Sequence, residues 1–120
     1  MWISKRAIPR IAVAGLVLGG CGEDEISSAT IAKRACKGVL ECDPTFFYSS
    51  FDSMEECRDR VERQHETSAD FYFEKAGGDC EDAFLEYYDC YFADYGTSCS
   101  LEHAASSCYQ LAVRFEDLCF

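Results

Sequence analysis

Residues 100–119 read SLEHAASSCYQLAVRFEDLC. Leu101, Ala104, Ala105, Cys108, Leu111, Ala112, Phe115 and Cys119 recur every three or four positions, the spacing that puts side chains on one face of an α-helix. Ser100 stands where an N-cap hydroxyl would accept from the free amides of the first turn. The stripe is apolar and carries two cysteines, 108 and 119, on the same face. A helix of this kind needs a neighbour that supplies both apolar surface and matching thiols, so this stretch sets the fold to be sought in the remainder.

The segment before it supplies such a neighbour. Asp79 can cap a helix from Cys80 to about Ala93, with Phe84, Tyr88, Tyr91 and Tyr95 at four-three-four spacing and a turn at YGTSC, residues 95–99. Further upstream, SMEE at 53–56 places Glu56 three residues after Ser53, the spacing of a capping box. A helix is predicted from Met54 to about Lys75, with a thin stripe of Met54, Cys57, Val61, His65, Ser68 and Tyr72, ended by Gly77-Gly78. A first helix starts at Ser27 or Ser28, buries Ile31, Ala32, Ala35, Cys36, Val39 and Leu40, and stops at Asp43-Pro44. Residues 44–52, PTFFYSSFD, read as an aromatic loop. No sustained period-two alternation is present, so strands are not predicted. The expectation is an all-α fold, a small four-helix domain clamped by disulfides.

The N-terminal residues have a different character. Lys5, Arg6 and Arg10 precede an apolar run from Ile11 to Leu18. Eight residues are too few to cross a bilayer, which takes about 20, but suit the apolar region of a secretory signal. The run ends Leu18-Gly19-Gly20-Cys21. This resembles the lipobox of bacterial lipoproteins. The resemblance implies cleavage before Cys21, a diacylglycerol thioether on its sulfur and an acylated amine. On that reading residues 1–20 are a cleaved signal peptide, 21–28 are the lipidated Cys and a short acidic tether, and 29–120 are the cysteine-rich helical domain. Two or more acyl chains anchor stably where one is marginal. Gly22 is not the Asp associated with inner-membrane retention in such proteins, so the outer membrane of the bacterial cell envelope is the expected location.

The nine cysteines fit this picture. With Cys21 assigned to lipid, eight remain, at 36, 42, 57, 80, 90, 99, 108 and 119. An even number in about 100 exported residues favours four disulfides. Eight cysteines allow 105 pairings. Antiparallel neighbours reflected about residues 98–99 bring Cys90 to Cys108 and Cys80 to Cys119. A local closure of the aromatic loop gives Cys42–Cys57, which leaves Cys36–Cys99. The spacing is also similar to small cysteine-rich bacterial lipoproteins of unassigned function, a resemblance that carries no catalytic residues.

Charge and motif exclude several functions. The whole chain carries −11. Without residues 1–20, which hold three bases and no acid, 8 bases face 22 acids, or −14. Nucleic acid is not an expected partner of such a surface. Zinc sites ordinarily show Cys-x2–4-Cys, whereas the closest cysteines here are six apart, at 36 and 42. Thioredoxin-like redox chemistry needs CxxC, which is absent. The short acidic clusters GEDE and GDCED lack EF-hand spacing and suit helix starts. Only His65 and His103 are available as bases. His65 is expected to pack at the helix interface and His103 to sit near the surface.

The expected function is therefore a membrane-anchored binding or structural module with no catalytic residues, no metal and no cofactor besides its covalent lipid. Its expected partners are the membrane and an envelope protein or glycan. The aromatics are expected to fill the core, except Phe47 and Tyr48 at the loop tip, which are candidates for an exposed binding patch. The alternatives are a small envelope enzyme or inhibitor-like protein, and a metal or redox protein.

Overall fold

The computed structural model describes residues 26–120. The expected signal segment 1–20, the lipidated Cys21 and the first part of the tether lie outside the described residues. The described part is all-α, with six helices.

Helix α1 spans Ser28–Cys42, and the Ser27 hydroxyl accepts from the Thr30 amide at 3.2 Å. It buries Ile31, Ala32, Ala35, Cys36 and Gly38, most of the stripe read from its spacing. Ile26, just before the cap, already packs on the core. Asp43 ends α1 and starts the next helix, α2, Pro44–Ser50. The expected aromatic loop is thus helical. The Asp43 carboxylate accepts from the Phe46 amide at 3.2 Å, and Pro44 occupies the first turn, where its missing N–H costs nothing.

Helix α3, Met54–Ala76, begins at Ser53, whose hydroxyl accepts from the Glu56 amide at 3.1 Å. The Glu56 carboxylate reaches back to the Asp52 amide, one residue earlier than in a standard capping box. Gly77, at φ +95°, ends the helix in a conformation that glycine adopts without strain. Helix α4, Gly78–Ser98, follows at once. Gly77 rather than Asp79 occupies its N-cap, with no side-chain cap. The helix also continues through the expected turn at Gly96 and ends at Cys99, which is left-handed at φ 55°.

The last predicted helix is two: α5, Leu101–Ser107, and α6, Tyr109–Cys119, with a break at Cys108. The break changes which face is inward. Ala104, Cys108 and Cys119 are buried as expected, but Leu101 is 59% exposed and Ala105 is exposed.

The three long helices pack around two apolar clusters. Ile31, Ala69, Phe84 and Leu85 form one, where the start of α1 meets the second half of α3 and the start of α4. Cys36, Phe47 and Cys57 form the other, towards the end of α1. α1 therefore runs alongside α4 and against α3. Full burial of a side chain such as Ile31 stabilises by about 1.5–3 kcal/mol. Among the described residues no helix is long and apolar enough to cross a membrane.

The disulfides fix this arrangement, and two expected pairings are corrected. Cys36 bonds Cys57 and Cys42 bonds Cys99, not Cys42–Cys57 and Cys36–Cys99. Cys36 and Cys42 are six residues apart, so at about 100° per residue they point to different sides of α1. Cys36 faces α3, and Cys42 faces the end of α4. The remaining bridges are Cys80–Cys119 and Cys90–Cys108, which lock α6 and the α5–α6 break onto α4.

Candidate functional site

Helices α3 and α4 form the walls of an open groove of about 750 Å³. The α3 wall carries Arg60, Arg63, Gln64, Thr67 and Ser68, and the α4 wall carries Phe84, Tyr88 and Phe92. The rings stand four residues apart, so they line one face of α4 over about two turns. One wall is thus aromatic, its rings tilted against one another, and the other is cationic and hydrogen-bonding.

His65 sits between the walls. Its ring centroid lies 5.9 Å from Phe84, 5.7 Å from Tyr88 and 6.0 Å from Phe92. Its Nδ1 is 3.0 Å from the Val61 carbonyl oxygen. A carbonyl only accepts, so Nδ1 carries the proton of the neutral ring. Burial holds the His65 pKa below its ordinary value, opposed by the hydrogen bond to Val61. Burial likewise raises the Tyr88 phenol, with the neighbouring tyrosines adding to the effect. His65 is a packing residue of the groove floor, half-buried as its place on the thin stripe implied.

Arg60 is held in place by two contacts. It pairs with Glu56 at 2.9 Å, and its guanidinium lies 4.8 Å from the centre of the Phe51 ring. Arg63 is exposed and makes no ion pair among the described residues. Arg63 lies off the apolar stripe of α3, so nothing in its local spacing marks a groove. The four-residue spacing of Phe84, Tyr88 and Phe92 is the signal the sequence carries for it, although the stripe of Phe84, Tyr88, Tyr91 and Tyr95 omits Phe92.

The two residues chosen as an exposed patch part company. The expected exposure of Phe47 is corrected: it is 2% exposed and packs against Cys36 and Cys57. Tyr48 is 68% exposed, beside Phe46 at 52%. In the short helix α2, successive residues point about 100° apart, so burying Phe47 turns its two neighbours outward.

The second histidine belongs to a cluster at the α4–α5 junction. His103 Nδ1 lies 2.8 Å from Asp94 Oδ1 and 3.4 Å from Ser107 Oγ. A nucleophile–base–orienter relay needs the hydroxyl and the carboxylate on opposite ring nitrogens. Here both meet the same nitrogen, so the cluster ties helix ends together. The hydrogen bond from His103 holds the Asp94 carboxyl below its ordinary value, helped by Ser98 and Ser107. The eight cysteines outside the N-terminal region are all in disulfides and offer no thiolates. No group of three or more His, Cys, Asp or Glu is placed to hold a metal among the described residues.

Comparison with protein-family models, curated proteins and solved structures finds no match to this chain.

Proposed function

We propose that this chain is a lipid-anchored protein of the bacterial cell envelope whose disulfide-clamped body is a binding module. The anchor is read from Leu18-Gly19-Gly20-Cys21 and from the even cysteine count left once Cys21 is set aside. The binding role is carried by the groove between α3 and α4. A pyranose has an apolar C–H face and a hydroxyl-bearing edge. The face suits the half-buried rings of Tyr88 and Phe92, with buried Phe84 packed behind them, and the edge suits Arg63, Gln64, Thr67 and Ser68. An envelope glycan is the ligand this pair of walls fits best, and its location at the membrane surface would keep the anchored groove within reach of it.

Two measurements test the proposal. Intact mass of the protein from native membranes is expected to show loss of residues 1–20 and acyl chains on Cys21; a chain retaining Met1 and lacking acyl mass removes the anchor. Purified peptidoglycan fragments are expected to bind saturably and to shift the resonances of Tyr88 and Phe92. Tyr88→Ala and Arg63→Ala should each weaken binding about tenfold with the helical signal unchanged. Binding unaffected by both substitutions, or absent, removes the groove.

A further inference from the structure

The length of chain outside the described residues fixes which end of the body meets the membrane. Five peptide units separate Cys21 from Ile26, so their Cα atoms are at most about 18 Å apart. Ile26 packs on the cluster of Ile31, Ala69, Phe84 and Leu85. That cluster lies at the end of the bundle where α1 begins, α3 finishes and α4 starts. The Cys80–Cys119 bridge brings the end of α6 to the same place.

This end also exposes apolar side chains. Phe120 is 73% exposed, Phe71 58% and Leu118 37%. Phe71 and Phe120 flank Tyr72, with ring centroids 5.1 and 6.0 Å from it. The Lys75 ammonium stands 4.3 Å from the centre of the Phe120 ring. Exposed Phe46 and Tyr48 lie on α2, beyond the opposite end of α1, about 22 Å away along a 15-residue helix.

We propose that the surface formed by Phe71, Leu118, Phe120 and Lys75 rests in the headgroup region of the bilayer that holds Cys21. The proposal depends on the lipid anchor of the preceding reading. An aromatic cluster at the end nearest the anchor is placed where aromatic side chains partition at a membrane interface, and the Lys75 ammonium beside the ring meets the lipid phosphates. Exposed Glu74, Asp79 and Asp117 at this end select a zwitterionic lipid surface, because an anionic one would repel them within about a Debye length. The groove then lies along the side of the body, and α2 points away from the lipid.

The sequence provides a clean reporter. Its single tryptophan is Trp2, inside the segment removed by cleavage. Phe120→Trp, Phe71→Trp and Tyr48→Trp each give a mature chain with one tryptophan. The full chain is expressed, purified from native membranes, checked by intact mass and placed in phosphatidylcholine vesicles with brominated or ordinary acyl chains. The tryptophan at position 120 is expected to lose about half its emission in brominated vesicles, that at 71 to behave alike, and that at 48 to be unaffected. Quenching at 48 instead, or at none of the three, overturns the proposal while an acylated mass leaves the anchor standing. A mass without acyl chains overturns both. Near-ultraviolet circular dichroism identifies any variant that does not fold, and position 71 then decides for position 120.

Discussion

Gly38 of α1 and Gly96 of α4 meet where the two helices cross, so closely that a methyl group on Gly38 would stand 3.2 Å from the Cα of Gly96. The contact is not symmetric. A methyl group on Gly96 would stand 3.8 Å from the Cα of Gly38, an ordinary separation. Replacing glycine by alanine inside a helix gains about 1 kcal/mol from propensity. Gly96→Ala is expected to be neutral or stabilising. Gly38→Ala must push a backbone tethered by the Cys42–Cys99 bridge, so its strain should exceed the gain and leave a net loss of about 1–2 kcal/mol. Thermal denaturation of the two variants checks the asymmetry; equal effects would show that the helices can part.

The disulfides should differ in worth by the length of chain they close. Cys42–Cys99 spans 57 residues and Cys90–Cys108 spans 18. Chain-entropy arithmetic gives about 4 kcal/mol for the first and about 3 kcal/mol for the second. Denaturant titration of the two double-alanine variants should order them that way.

Phe47 and Tyr48 are adjacent, yet their alanine variants should behave very differently. Phe47→Ala empties a site enclosed by Cys36, Cys57 and their apolar neighbours and should cost about 3–5 kcal/mol. Tyr48→Ala removes an exposed ring and should change stability by less than about 0.5 kcal/mol. A melting curve for each is sufficient.

Acid should destabilise the protein in two separate windows. His65 is lowered in the folded state, so the unfolded chain binds its proton first as pH falls. The stability that neutral His65 supports is complete above its unfolded pKa of about 6.5 and declines from there down to the lowered folded value. His65→Phe should abolish that decline between neutral and mildly acid pH. Asp94 is also lowered. Its contribution is present above the unfolded carboxylate pKa and is lost as pH falls through the lower folded value. Asp94→Asn should therefore lower the melting temperature at neutral pH and flatten the more acid limb of the profile, where the two proteins converge.

Three helix starts are legible because their signal is local, whereas Asp79 does not cap α4. Ser53 and Ser100 cap the helices expected of them, and of the two candidates Ser27 and Ser28 it is Ser27 that caps α1. The start of α2 was just as local: Asp43 followed by Pro44 is a cap and a first-turn proline. The same pair also ends α1, and a stop signal there masks the start that follows it. The run of α4 past Ala93 was not legible in the same way. Gly96 reads as a breaker on its own, and only its approach to Gly38 makes it a good helix residue there. The pairing of Cys42 likewise depends on the side of α1 it occupies and on an α4 long enough to reach it. The groove escaped sequence reading because Arg63 and Thr67 look like any solvated helix positions until Phe92 is brought opposite them.

The four bridges impose a condition on how the protein is made. Numbered along the chain from Cys36, they join the first cysteine to the third, the second to the sixth, the fourth to the eighth and the fifth to the seventh. None joins sequence neighbours. If the chain enters an oxidising compartment N-terminus first, Cys36 and Cys42 meet the oxidant before Cys57 does, and the shorter loop closes at lower entropic cost. Pairing in order of arrival would then produce a set other than the native one. On that route the native set would be reached by thiolate attack on bonds already formed, and its yield would rise with a disulfide-reshuffling catalyst.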